Sequence, residues 1–221
     1  MFGGHSARLV LFAALVIIFA GRSALRPSVE AQVGPIVQEN TQTGSPSSDW
    51  DVSGAGDPSI QGFATDISVN KGDTVSFKVN TDSSNYRIDI YRLGYYGGAG
   101  ARLVAGNVVP SAPLPQNQPP CLVNGTTGLA DCGNWGVSAS WSTASAPSGI
   151  YLAKLKRLDT GGASHMVFIV RDDARQADLV VQTSDTTWQA YNQYGGGSFC
   201  TATARRATPA PCTRAPGVRP R

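Results

Sequence analysis

A mainly β chain, an immunoglobulin- or fibronectin-like β-sandwich followed by the first strand-helix step of a truncated α/β domain, is the fold class this sequence predicts. Short apolar-polar alternations recur between Gly-, Asn- and Asp-rich turns, and amphipathic helical periodicity is almost absent. An all-apolar run with a capped helix behind it arrives only after residue 172.

The strands come in order along the chain. Gln61–Val69 reads as the first, closed by the turn Asn70-Lys-Gly-Asp73. Thr74–Asn80 alternates cleanly, with Val75, Phe77 and Val79 on one face and Thr74, Ser76, Lys78 and Asn80 on the other, as a half-buried antiparallel strand does. After the turn Thr81–Asn85, the strand Tyr86–Leu93 puts Tyr86, Ile88 and Ile90 on one face. Val137–Trp141, Gly149–Leu158 and His165–Arg171 add three more. The Gly-, Pro- and Asn-rich stretch Gly94–Trp135 is expected as a loop on the sandwich. The Cys-Trp-Cys arrangement of an antibody domain is absent.

Beyond the charged linker Arg171–Arg175, Leu179-Val-Val181 is apolar on both faces, as strands of covered parallel sheets are. Ser184 and Asp185 are N-cap residues for a helix over Thr186–Tyr194, which Gly195-Gly-Gly197 would end. The expected organisation is a signal peptide over 1–31, an irregular leader over 32–58, the sandwich over 59–172, the start of an α/β domain over 173–199 and a tail over 200–221.

The signal assignment rests on Arg8 followed by the 12-residue apolar run Leu9–Ala20, too short to span a bilayer, with cleavage after Ala31 or nearer Ser23 and Ala24. It implies a secreted or extracytoplasmic protein with no membrane span after cleavage. The net charge of +3 comes from the two ends, because residues 32–200 hold ten basic against fourteen acidic side chains. No basic face is left to track a phosphate backbone, so nucleic acid is excluded as a partner.

Four cysteines in an exported chain favour disulfides. Cys121 and Cys132 are the sequence-near pair, and closing their loop stabilises by about 3 kcal/mol in the chain-entropy model; Cys200 and Cys212 are left unassigned. His165 is the only histidine besides His5, which rules out metal sites built on two or three imidazoles. His165 itself reads as a strand-end residue rather than a general base. Tyr91–Arg102 mixes tyrosines with glycines and reads as a strand leaving the sheet through a turn, with a sugar-stacking loop as the alternative. Asn124-Gly-Thr126 is a formal glycosylation acceptor. Trp188 and Tyr191 share one face of the expected helix; for Tyr191, core and ligand-site readings are balanced.

Three stretches, Gly62–Lys78, Ile88–Gly98 and Ser184–Asn192, resemble secreted bacterial relatives of the large (beta) subunit of N,N-dimethylformamidase. The resemblance implies a β-sandwich ahead of a larger, amidotransferase-like α/β region that hydrolyses a small amide. It also implies a mononuclear iron held by two tyrosines and a glutamate, with Tyr191 matching the first tyrosine. The other two ligands would lie beyond Cys200, where this chain has neither Tyr nor Glu. Residues 200–221 are Ala, Pro, Thr and Arg without periodicity and read as GC-rich coding sequence translated out of frame, with a natural disordered tail as the alternative. The expectation is therefore the N-terminal part of an exported dimethylformamidase-like hydrolase, inactive as given and without a cofactor of its own. A secreted Ig-like binding or adhesion module that uses Gly94–Trp135 as its contact surface is the reading from another class.

Overall fold

The computed structural model describes residues 34–126 and 129–191. The chain divides into two units, residues 1–38 and 39–221. In the first, a short helix, α1 (Pro35–Asn40), begins, with Gln38 N–H donating to Gly34 O at 3.0 Å. The strands all belong to the second unit.

The described residues are mainly β and form two principal sheets, consistent with a β-sandwich. One sheet has the order β1-β3-β8, from β1 (Ile60–Ala64), β3 (Thr74–Thr81) and β8 (Ala139–Ser142). The other has the order β2-β10-β9-β4-β5, from β2 (Ser68–Asn70), β10 (Ala163–Arg171), β9 (Gly149–Arg157), β4 (Tyr86–Leu93) and β5 (Ala101–Val108). A two-stranded ribbon, β6 (Leu122–Val123) with β7 (Ala130–Asp131), stands apart.

The expected strand Gln61–Val69 is two strands. β1 pairs antiparallel with β3, whereas β2 pairs parallel with β10 in the other sheet. The chain changes sheets between Ala64 and Ser68, which closes the sandwich along one side. The expected loop Gly94–Trp135 also holds a strand: β5 is eight residues long and pairs with β4. Register shifts between Ile88 and Ile90 and between Ile90 and Tyr91 break its alternation, and Asn107 sits at φ 57°. That irregularity removes the period-2 signal by which a strand is read from sequence.

The core lies between the two sheets. Val75, Phe77 and Val79 of β3 point inward as their alternation requires, and meet Ile88, Ile90, Leu155, Met166 and Phe168 of the second sheet. Phe168 stacks on Tyr151 with ring centroids 5.3 Å apart and meets Phe77 edge-on at 5.7 Å, so the centre is an aromatic cluster with defined geometry. Tyr86 is buried beside it with no hydrogen bond to its hydroxyl; Ser138 Oγ, close by, is engaged by the Val79 backbone. Burial pushes the Tyr86 phenol up to about 12.

After β10 the structure departs from expectation. Leu179, Val180 and Val181 are in no strand and are 86%, 90% and 82% exposed. An all-apolar run becomes a central strand only when sheets or helices cover both its faces, and nothing among the described residues does so. The helix behind it forms as α3 (Asp185–Tyr191), one residue earlier at its start than expected. The Gly195–Gly197 stop and the 200–221 tail lie outside the described residues.

Phe168→Ala removes the ring shared by the stacked and edge-on pairs and is expected to cost about 3–5 kcal/mol. Urea unfolding monitored by tryptophan fluorescence should show the midpoint falling with the slope unchanged.

Candidate functional site

Residues 39–58, for which the sequence offers no core, are laid against the sandwich. Glu39 accepts hydrogen bonds from Tyr96 Oη at 2.8 Å and Arg102 Nε at 2.8 Å, and Ser45 joins the β5 edge through its N–H to Ala101 O at 2.8 Å. The chain then crosses the outer face of the five-stranded sheet as a one-turn helix, α2 (Ser47–Trp50). Trp50 Nε1 donates to Ser45 O and Ala99 O, and its ring lies over Gly100, where a Cβ would stand 3.0 Å from Cζ2. Gly100 also sits at φ 84°, so both conformation and space require glycine there.

Three neighbouring strands hold this strap by its backbone. Tyr91 Oη of β4 donates to Asp49 O at 3.3 Å, and Lys154 Nζ of β9 donates to Asp49 O at 2.8 Å and Asp51 O at 3.0 Å. His165 of β10 donates from Nε2 to Trp50 O. Three successive carbonyls are thereby satisfied. Because the strap covers the outer face, Asp89, Tyr91 and Lys154 are each more than nine-tenths buried although they point away from the core. Burial, with Lys156 beside it, holds the Lys154 ammonium below the usual lysine range, and burial, with Asp89 nearby, pushes the Tyr91 phenol up.

Between strap and sheet lies an open cleft of about 430 Å³. Its floor is Asp89, Tyr91 and Lys154; Ser48 and Asp49 form one wall, and Leu103, Gly106 and Asn107 of β5 the other. Arg87 and Lys156 stand at its end, as cross-strand partners on β4 and β9. Asp89 accepts from Arg87 Nε at 2.9 Å and from Asn107 N–H at 2.9 Å, which uses both of its oxygens.

The residues singled out in the sequence do not converge here. Tyr191 closes α3, and its side chain lies outside the described residues. Trp188 is half-exposed. Cys121 and Cys132 are bonded to each other, Cα atoms 4.3 Å apart, at the base of the β6-β7 ribbon, whose turn carries the exposed Asn124. In the Tyr91–Arg102 stretch Tyr95 is the one exposed tyrosine; Tyr91 and Tyr96 are buried, the latter between Arg92 and Glu39. His165 lies within β10 rather than at its start, and serves the strap.

The N,N-dimethylformamidase beta subunit-like, C-terminal family model matches residues 87–219, more than half of the chain. The chain belongs to this family. The dimethylformamidase-like match begins inside β4 and runs through β10 and α3, so the family region takes in most of the sandwich together with the segment behind it. It extends past Cys200 to residue 219. No curated protein matches the chain.

The iron implied for dimethylformamidase-like proteins does not fit the described residues. The chain has two glutamates, and Glu39, the one described, receives the Arg102 guanidinium on the same oxygen that accepts from Tyr96. Among the described residues, a cation already fills the only place where a glutamate meets a tyrosine. Tyr86 and Tyr151 are sealed in the core.

Burial pulls the His165 imidazole below its ordinary value; Lys154 acts in the same direction, while Trp50 O and Asp51 oppose it. A lowered folded-state value means that the unfolded chain takes up the proton first, so stability is present above about pH 6.5 and falls as pH drops below it. Urea midpoints at pH 7.5 and 5.5 should differ more for the wild type than for His165→Gln, which keeps a donor without titrating.

Proposed function

We propose that this chain carries the sandwich-bearing part of an exported dimethylformamidase-like amide hydrolase and has no hydrolase activity by itself. In this reading the sandwich positions or docks the α/β region that cleaves the amide. One observation carries it: the family match is continuous from β4 through α3 to residue 219, so the sandwich and the segment after it belong to one family region.

The family resemblance asks for a second tyrosine and a glutamate after Cys200, and residues 201–221 contain neither. Export is supported by the apolar run Leu9–Ala20 after Arg8 and by the Cys121–Cys132 bond, which persists in oxidising compartments. Leu179–Val181, apolar and uncovered, is what the first strand of a parallel sheet looks like without its neighbours.

The full chain, supplied with iron(II) and N,N-dimethylformamide, is expected to release dimethylamine no faster than buffer; saturable turnover would end the claim of inactivity.

A further inference from the structure

The outer face of β4 and β9 has an electrostatic arrangement that the fold does not explain. Arg87 and Lys156 are directly opposite each other across the two strands, and like charges in such positions repel. Arg87 directs its Nε to Asp89, while its two terminal nitrogens make no hydrogen bond among the described residues. Lys156 has neither a hydrogen bond nor an ion pair among the described residues. A third cation, Lys154, lies one pair further along on the same face, 8% exposed and with only two of its three ammonium hydrogens committed to the strap. This occurs although residues 32–200 as a whole hold more acidic than basic side chains.

We propose that the cleft between the strap and β4, β5 and β9 is a binding site for a monocarboxylate, gripped by the Arg87 fork and the Lys156 ammonium over Lys154. The charge balance chooses the class of anion. Three cations line the cleft with the carboxylates of Asp49 and Asp89, and Asp51 also acts on Lys154, so the net positive charge is one at most, suited to one carboxylate and poorly suited to a phosphate dianion. Asp89 already accepts from Arg87 Nε and the Asn107 N–H, one on each oxygen, and no ion pair among the described residues joins it to Lys156. Leu103, 42% exposed on the β5 wall, offers apolar surface to a short chain attached to the carboxylate. The carboxylate can be a free acid or the side chain of a glutamate on another protein, and the chemistry at Arg87 and Lys156 is the same for both. The proposal does not depend on amide hydrolysis.

The test is a titration of the full chain, labelled with nitrogen-15, with sodium butyrate at constant ionic strength. The amides of Gly106 and Asn107 and the Arg87 Nε signal should shift and saturate. Lys156→Gln, at a partly buried side chain whose loss should not lower the melting temperature, should weaken binding about tenfold, as removal of one charge-assisted contact does. A doubly blocked glutamate peptide that saturates the same signals more tightly than butyrate assigns the carboxylate to a protein; the reverse order assigns it to a free acid. The proposal is overturned by shifts that stay linear and equal those with chloride, by phosphate binding tighter than butyrate, or by a Lys156→Gln protein that binds as the wild type does.

Discussion

The backbone carbonyls of Asp49, Trp50 and Asp51, held by Tyr91, Lys154 and His165, are the contact on which the outer half of this molecule depends. Without it the outer face of β4 and β9 would lie open to water and its charged residues would be ordinary surface. With it, an ammonium and a phenol lie under a strap that has no apolar run of its own. The strap has four residues of helix, and the sheet provides partners for carbonyls that so short a helix leaves unpaired. Burying them is tolerable only because the sheet supplies donors, and burying Lys154 is tolerable only because the strap supplies acceptors. Each half removes the desolvation cost of the other.

This reciprocity makes β4 and β9 two-sided. Tyr86, Ile88 and Ile90 face the aromatic core while Asp89 and Tyr91 face the strap, and β9 is buried almost throughout. A one-residue shift would send the isoleucines of β4 toward the strap and Asp89 into the core, and would turn Lys154 and Lys156 of β9 inward, so register is doubly specified. The cleft inherits that rigidity: its floor belongs to the two central strands, and only its walls, α2 and β5, lie at the periphery. Ligand-positioning groups on central strands keep their geometry better than groups on loops.

Membership of the dimethylformamidase-like family gives the sandwich a context. The family region opens inside β4 and reaches residue 219, so it spans most of the sandwich strands and the segment after them. The Leu179–Val181 run behind the sandwich leaves three aliphatic residues in a row exposed. The tyrosines near the glycine-rich turn belong to the fold instead: Tyr96 joins Arg92 to Glu39 and holds the beginning of the strap against the sheet edge.

Alternation along β3, the inward face of β4 and the sequence-near Cys121–Cys132 pair were legible in the chain, because each depends on residues close in sequence and on a single buried face. By itself, then, the sequence determined the sandwich class, most of its strands and the family resemblance at Gly62–Lys78, Ile88–Gly98 and Ser184–Asn192. It did not reveal the split of the first strand into β1 and β2, because apolar pattern does not say which sheet a strand joins. It hid β5 behind its bulges, and it offered no sign of the strap, whose attachment runs through carbonyls that every residue possesses. The cleft was invisible for the same reason: Arg87, Asp89, Lys154 and Lys156 look like solvated polar positions of two strands far apart in sequence. Only the tertiary structure decided that they share one face, because cross-strand register and burial are set by long-range pairing.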